Sequence, residues 1–262
     1  TIDRPTEENV GLFGVVGYNV TVDAAGTIDN VGLENATVTG KNQVGGLVGR
    51  TSLSTVRRTA VSGTVTGSSR VGGLVGENLV ATVAESYATA DVVGTDSSIG
   101  GLVGYNTNEA EVSASYATGS VIGPTGVGGL VGTADQSTIR QSYAVGQVSG
   151  TDSDGTVGGL VGDNTATTVS NSYWDTATTG QDSSAGGTGL TTAELRGKAA
   201  RANTNLDFTK TWAHRTGAAV SYPYLPFNPQ VPPPGFSNPF EGGLGTAEDP
   251  YPVTSTSAVQ PT

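Results

Sequence analysis

A hexapeptide that recurs at intervals of 27 to 30 residues is the feature that most constrains the fold of this chain. Val-Gly-Gly-Leu-Val-Gly begins at Val44, Val71, Val127 and Val157, and a copy with isoleucine in the first position begins at Ile99. Self-similarity at a fixed period of this length is typical of architectures in which one small unit stacks on the next. The chain is therefore expected to be a repeat protein.

Two further signatures follow each hexapeptide at near-constant distances. Ser-Tyr-Ala-Thr or a close variant begins at Ser86, Ser115, Ser142 and Ser172, and Arg58-Thr-Ala-Val stands there in the first full unit. A short β-branched run then ends in glycine, as in residues 63–67 and 91–94. Each unit therefore reads as three short strands separated by turns.

A single unit of this size cannot bury its apolar face, whereas units stacked about 4.8 Å apart bury it continuously. We therefore predict an all-β fold, a parallel β-solenoid (β-helix) with three strands in each rung of 27–30 residues. A β-propeller requires longer blades, and a β-sandwich does not explain near-identical repeats. Core columns inside the stack are expected at Leu47, Leu74, Leu102, Leu130, Leu160, Tyr87, Tyr116, Tyr143 and Tyr173. Asn78, Asn106 and Asn164 are expected to form a further column of amides at a turn.

The repeated Gly-Gly-Leu-Val-Gly stretches resemble the GLUG motif family, whose core is Gly-Leu-any-Gly. The resemblance covers about residues 10 to 175 in five tandem copies. It implies a parallel β-helix within a large exported surface protein of a bacterium or an archaeon, such as an adhesin or a cell-surface protease. It implies no catalytic residues, because the motif is structural.

The charge balance indicates which partners and which environment suit such a protein. The net charge is −11, with 23 acidic and 12 basic residues, and phosphate backbones require basic patches, so nucleic acid is a disfavoured partner. A sequence with so few lysines suits a halophilic archaeon, because high salt screens the self-repulsion; an ordinary acidic secreted protein is the alternative. There is no cysteine, which removes disulfides and thiolate chemistry.

An extracellular or cell-surface location is expected, and no membrane span is predicted because the chain lacks a run of 18 apolar residues. Two Asn-x-Thr acceptor sequences, at Asn19 and Asn35, are glycosylation candidates if the chain is exported.

The sequence divides into a repeat region at 1–175, a capping region at 176–230 and a tail at 231–262. Residues 175–189 read as an exposed loop, and Thr191 to Glu194 has the form of a capping box before a helix over 193–202. Aromatic residues between Phe208 and Phe227 are expected to cap the end of the stack. A carbohydrate-binding platform is the functional alternative for these aromatics.

The tail begins with a proline-rich linker and then resembles the segment that usually opens a GLUG-type domain. We predict that the tail completes the N-terminal rung of the next subunit by strand addition, which would build a head-to-tail homopolymer. The tail residues expected to make this contact are Phe236, Phe240, Tyr251 and Val253. The alternative is that the chain is a window of a longer protein, in which the tail starts the next domain.

No arrangement of side chains in the sequence points to catalysis. His214 is the sole histidine, and no Gly-x-Ser-x-Gly elbow or phosphate loop is present. The acidic residues on turns do not stand out as a catalytic pair. No cofactor is expected, and the only metal hypothesis is weak Ca²⁺ binding at Asp152 and Asp154, where most ligands of a calcium loop are missing.

The sequence thus favours a structural subunit of an extracellular filament or surface appendage. The alternative is a binding module of a large adhesin that contacts glycans or other cells. A β-helix enzyme acting on polysaccharides is the least favoured of the three.

Overall fold

The computed structural model describes residues 1–17, 25–215 and 220–226. Short strands from successive repeats pair in parallel and in register, so that each repeat forms one coil of a β-solenoid. The prediction of an all-β parallel solenoid is therefore confirmed. Within the described residues the strands belong to four sheets that run along the stack.

The hexapeptide is divided between two of these sheets. Sheet 1 leads into it and comprises Glu8–Val10, Asn42–Gly45, Ser69–Gly72, Ser97–Gly100, Thr125–Gly128 and Val157–Gly158. Sheet 2 leads out of it and comprises Phe13–Gly17, Val48–Ser52, Val75–Leu79, Val103–Thr107, Val131–Asp135 and Val161–Thr165.

The other two sheets complete each coil. Sheet 3 comprises Thr27–Asp29, Thr55–Arg57, Thr82–Ala84, Glu111–Ser113, Thr138–Arg140 and Thr168–Ser170. Sheet 4 contains Ile2–Asp3, Gly32–Thr39, Ala60–Gly67, Tyr87–Ala88, Asp91–Gly94, Tyr116–Ala117, Val121–Gly123, Tyr143–Ala144, Val148–Gly150, Tyr173–Asp175 and Thr188–Leu190.

The expectation of three strands in each rung is wrong. The hexapeptide bends at its Gly-Leu step, so it contributes two strands instead of one, and a separate strand in sheet 3 precedes the Ser-Tyr signature. In the later coils sheet 4 is itself split, since the Tyr-Ala pair and the β-branched run form separate strands. Each coil therefore has four faces.

Two corners of each coil are made by a single residue in the left-handed conformation, and most of these residues are not glycine. The column after sheet 3 consists of Asn30, Arg58, Glu85, Ala114, Gln141 and Asn171, with φ between 46° and 59°. The corresponding position after sheet 2 is held by Leu53, Val80, Asn108, Gln136 and Ala166. Such backbone is costly for residues with a Cβ atom, so the stacking of neighbouring coils must maintain it.

The interior of the solenoid is a set of apolar columns, one residue per coil. Val71 from sheet 1, Val75 from sheet 2, Val83 from sheet 3 and Val92 from sheet 4 are each fully buried in one coil, and valine or isoleucine repeats at most equivalent positions. Small β-branched side chains suit this narrow interior, because they fill short half-buried strands without excess volume.

Glycine is required where the backbones of two coils approach each other. A Cβ atom on Gly101 would lie 2.1 Å from the carbonyl oxygen of Gly129 and 2.9 Å from Cβ of Ala117. The equivalent Gly73 would meet the carbonyl oxygen of Gly101 at 2.2 Å. Because these neighbours are backbone atoms in a hydrogen-bonded stack, they cannot move aside for a methyl group.

Two short helices follow the coils in the described part of the chain, Thr176–Thr179 and Gly197–Asn203. The capping box forms, since the backbone N–H of Thr191 donates to Oε2 of Glu194 at 2.9 Å and Glu194 N–H donates to Oγ1 of Thr191 at 3.3 Å. The helix nevertheless begins at Gly197 and not at 193, because Arg196 is extended, with a φ of −120° and a ψ of 146°, and so ends the preceding turn. Neither helix has the length or the apolar content of a membrane span.

Replacement of Gly101 by alanine tests the close approach of the coils. Gly101→Ala is expected to destabilise the fold by about 3 kcal/mol or more, because the added methyl group overpacks against rigid backbone. Gly32→Ala is the matched control, since a Cβ atom there meets nothing within 4 Å; its effect should stay within about 0.5 kcal/mol. Chemical denaturation followed by circular dichroism measures both, and equal effects would contradict the explanation.

Candidate functional site

The five leucines of the hexapeptide lie at the corner between sheets 1 and 2. Each is fully buried: Leu47, Leu74, Leu102, Leu130 and Leu160. Their backbone groups also stack, because the N–H of each of the first four leucines donates to the leucine carbonyl of the next coil, at 2.9 Å for the bond from Leu102 to Leu130, whereas the N–H of Leu160 donates to Oγ of Ser184. The leucine column thus combines core packing with a continuous backbone ladder.

The tyrosines of the Ser-Tyr signature form a stack on the outer face of sheet 4. Tyr87, Tyr116, Tyr143 and Tyr173 are paired in register, and the rings of Tyr116 and Tyr143 lie parallel with centroids 5.1 Å apart. The next residue in each strand, such as Ala88, belongs to the interior cluster instead. Since side chains alternate along a strand, the tyrosines point outward. The expected tyrosine column therefore forms and is buried, but it lies on the outer side of sheet 4 and not inside the coils, because alanine occupies the inner position.

The C-terminal segment covers this tyrosine stack from the side. Trp212 lies with its ring centroid 6.0 Å from Tyr116 and 5.5 Å from Tyr143, and Tyr222 lies 6.3 Å from Tyr143. The hydroxyl group of Tyr143 donates to the carbonyl oxygen of Pro223 at 2.5 Å. The aromatic residues predicted to cap the end of the stack therefore lie along its side, where the outward tyrosines provide apolar surface.

Residues 176–190 close the C-terminal end of the coils. The N–H of Gly159 donates to the carbonyl oxygen of Ser183, and Ala185 N–H donates to that of Val161. Trp174 takes the inner position that alanine holds in the preceding coils and contacts Gly159. The segment predicted as an exposed loop at 175–189 is exposed at many positions, but it contains a short helix and part of a strand and bonds to the backbone of the last coil.

A buried carboxylate joins the two C-terminal segments to the last coil. Asp175 is fully buried and accepts hydrogen bonds from the hydroxyl of Tyr222 at 2.6 Å and from that of Thr192 at 3.0 Å. It also accepts bonds from the N–H groups of Ala177 and Thr178, which open the first helix. These four donors satisfy a charge that would otherwise be expensive to bury.

A serine column at the corner before sheet 4 was not expected from the sequence. Ser115 Oγ accepts from the N–H of Ser86 at 3.1 Å and donates to the carbonyl oxygen of Ser113 at 2.8 Å. The same pair of bonds repeats at Ser142 and Ser172. The recurrence of serine before each tyrosine is visible in the sequence, but the hydrogen bonds between the serines of successive coils depend on the corner geometry.

The expected asparagine column forms in part. Asn78 and Asn106 are fully buried, and Nδ2 of Asn78 donates to Oδ1 of Asn106 at 2.7 Å. Ala134 interrupts the column one coil later. Asn164, in the last coil, instead donates to the carbonyl oxygens of Thr167 and Ala185.

The candidate metal and catalytic residues are not gathered into a centre. Asp152 and Asp154 are exposed, and Asp152 Oδ1 accepts from the N–H of Asp154 within its own turn. No group of three or more His, Asp or Glu residues with metal-binding geometry occurs in 1–17, 25–215 or 220–226. His214 packs edge-on against Phe208, and burial lowers the pKa of its imidazole, with the charges of Arg201 and Lys198 adding to the effect.

The N-terminal end of the stack differs from the closed C-terminal end. Among the described residues, the first strands of sheets 1, 2 and 3 have a neighbour on one side only, as do the last strands of these sheets. At the C-terminal end, however, residues 183–185 bond to the hexapeptide corner and to sheet 2 of the last coil. Leu12, Phe13 and Val15 are 48%, 39% and 60% exposed at this end. Arg57 and Arg58 hold Asp29 there and lower the pKa of its carboxyl to about 2.

Of the predicted modification and assembly residues, Asn35 is exposed and has a φ of 52° in an irregular part of sheet 4. The remaining ones lie outside the described residues: Asn19, Phe236, Phe240, Tyr251 and Val253.

The sequence model of the GLUG motif matches three consecutive segments of the chain, residues 67–93, 95–122 and 123–149. These coils are GLUG repeats. The resemblance noted in the sequence is thereby confirmed for residues 67–149, and each matched segment spans about one coil, from one sheet 4 glycine to the next.

A haloarchaeal protein and two solved structures are similar to this chain. Halomucin of Haloquadratum walsbyi is 46% identical over 63 residues, which amount to 24% of this chain and 1% of halomucin. A putative immunoglobulin A1 protease from Bacteroides ovatus superposes with a TM-score of 0.62 at 22% identity, over 78% of this chain and 70% of that one. A structure named IgA1 protease covers 67% of this chain and 14% of its own length, with 24% identity and a TM-score of 0.49. The Bacteroides structure shows that the two proteins share a fold.

Alkaline pH should release the C-terminal segment from the tyrosine stack. Burial first, and then the hydrogen bond and charge of Asp175, raise the pKa of Tyr222 from 10 to about 12. Because the folded state holds the phenolic proton more tightly, its stabilisation is complete below pH 10 and is lost as the pH rises through 12. We expect proteolysis after residue 190 to increase over this interval.

The variant Asp175→Asn removes the charge and should shift the release to lower pH, as measured by the absorbance of tyrosinate. Asp182→Asn, at an exposed position, is the control and should leave the midpoint unchanged. An unchanged midpoint in Asp175→Asn would contradict the assignment.

Proposed function

We propose that this chain is a non-enzymatic structural subunit displayed outside the cell, which assembles head to tail into a filament. In this proposal the tail at 231–262 adds strands to the N-terminal coil of the next subunit. The observation that carries the proposal is the contrast between the two ends of the stack. Strand edges with exposed apolar side chains are a template for another chain, and soluble proteins normally cover them.

The N-terminal end supplies both parts of such a contact. Its strand edges offer backbone donors and acceptors for an added strand, which give affinity in strand-addition complexes. Phe13 and Val15, on the first strand of sheet 2, offer apolar surface that every second side chain of the added strand can contact. The tail contributes matching aromatic and β-branched residues at Phe236, Phe240, Tyr251 and Val253.

The closed C-terminal end favours tail exchange over direct stacking of one coil on another. Residues 183–190 already bond to the last coil at its hexapeptide corner, at sheet 2 and at sheet 4, so a second subunit would have to displace them to continue these sheets. A contact between unlike surfaces does not close on itself and produces an open polymer. The net charge of −11 opposes this assembly at low salt, whereas high salt shortens the range of the repulsion to a few Å.

A tail deletion and an edge substitution test this assembly. The full chain should form polymers visible by electron microscopy, whereas a chain lacking 236–262 should stay monomeric in light scattering. Val15→Lys should also block assembly, because a charge on the edge opposes strand addition. Ile122→Lys is the matched control at a side chain 39% exposed on the outer face of sheet 4 and should assemble normally. Polymers that persist without the tail would overturn the proposal.

The second candidate is a binding module within a large adhesin-like surface protein. It is favoured by the similarity to halomucin, a protein of which the matched stretch is a very small part. This candidate predicts a monodisperse sample under all salt conditions. A haloarchaeal source suits both candidates, given the acidic composition.

Display outside the cell is expected to place an N-linked glycan on Asn35. Its side chain is exposed, and Thr37 completes the acceptor sequence. Mass spectrometry of material from the native host should find a glycan at Asn35 that Thr37→Ala removes. Thr64→Ala, at the exposed residue paired with Thr37 in the next coil, is the control and should retain the glycan. A bare Asn35 in native material would contradict this expectation.

A further inference from the structure

A polar groove crosses the outer faces of sheets 1 and 2, with a volume of about 360 Å³. We propose that it binds a neutral saccharide chain of two or three sugar residues. The inference goes beyond the proposed function, because it concerns a ligand of the stack wall and does not require assembly. Six hydroxyl side chains line the groove: Ser69, Ser97, Ser98, Thr125, Thr133 and Thr156.

The groove exists because two wall positions lack a large side chain. In the outward column of sheet 2, Thr133 stands between Tyr105 and Asp163. Opposite it, in sheet 1, Gly126 has a φ of 61°, and a Cβ atom there would lie 2.8 Å from Oγ1 of Thr133. Tyr105 and Asp163 are two coils apart, about 10 Å along the stack. That spacing accommodates one sugar ring in contact with the tyrosine, with its hydroxyls in reach of the carboxylate.

The lining offers the groups that a polyol requires. Serine and threonine hydroxyls both donate and accept hydrogen bonds, as sugar hydroxyls do. The carboxylate of Asp163 is exposed and makes no hydrogen bond or ion pair with any described residue. It can therefore accept a charge-assisted bond from a sugar hydroxyl. The ring of Tyr105 adds an apolar wall for the C–H face of a sugar, and the guanidinium of Arg70 lies 5.3 Å from its centroid.

The charges of the groove favour a neutral ligand over an anionic one. Among the described residues that line it, Arg70 is the single cation, and its guanidinium pairs with Glu77 at 3.3 Å. The Glu77 side chain is 8% exposed, so this pair is held against the wall. An anionic ligand would be repelled by the unpaired carboxylate of Asp163 and by the net charge of −11.

A peptide strand is disfavoured as the ligand because the backbone here has no free edge. The strands Ser97–Gly100 and Val103–Thr107 at the centre of the groove are paired on both sides. Strand addition needs unpaired backbone groups, which this wall does not offer. Side-chain hydroxyls and an aromatic wall are what remain for recognition.

Saturation-transfer NMR with cellotriose, maltotriose and laminaritriose on the full chain tests the proposal. At least one of these trisaccharides should receive saturation, and Thr133→Phe should abolish it by filling the groove. Asp163→Asn should weaken binding about tenfold, through loss of a charge-assisted bond. Thr66→Phe, on the outer face of sheet 4, is the matched control and should bind as the unchanged chain does.

Three results would overturn the proposal. They are no saturation of any neutral trisaccharide, equal binding by Thr133→Phe, and tighter binding of trigalacturonic acid than of the neutral probes. The tail-deleted chain should bind as well as the full chain, so this experiment is independent of filament formation. Failure of assembly would therefore leave the groove assignment standing, and the reverse also holds.

Discussion

The whole structure depends on the hydrogen bonds that join the backbone of each coil to the next. These bonds run through the corners as well as the strands, as the ladder of leucine N–H groups and carbonyls shows. They require neighbouring backbones to approach so closely that Gly73 and Gly101 have no room for a side chain. Once this spacing is fixed, equivalent residues of successive coils must stack directly on each other. The columns of leucine, serine and tyrosine are consequences of that single constraint.

The parts of the fold in which the same residues recur in each unit could be predicted from the sequence. The hexapeptide gave the period, the parallel stack and the positions of the buried leucines, because an apolar residue between glycines has few alternatives in so narrow a coil. The corners at Glu85, Ala114 and Gln141 gave no signal, since their left-handed backbone is imposed by neighbouring coils and not by residue type. The fourth face of each coil was missed for this reason.

The candidate sites could likewise be predicted only in part from the sequence. Strand alternation shows on which side of sheet 4 the tyrosines lie only when the inward-facing residue is known. The alanine beside Tyr116 faces inward, but a residue so small does not indicate this in the sequence. The groove at Thr133 could not be foreseen, because it depends on which residues of different coils become neighbours on the wall. Inner columns are nearly uniform, whereas the outer column of sheet 2 changes from Arg50 to Glu77 to Tyr105. Features that distinguish one part of the wall from another therefore lie in these varied outer positions.

Trp174 has a consequence for how such a domain can change in length. It stands in the inner column where the three preceding coils have alanine, and its indole occupies the space beside Gly159 that a further glycine would need. Whole units duplicated before this residue would lengthen the rod and keep the same closed terminus. A unit duplicated after Trp174 would have to place its backbone in the space that the indole of Trp174 already fills. Evolutionary growth by tandem duplication is therefore directed to the N-terminal side, and rods of different length can share one unchanged finishing segment.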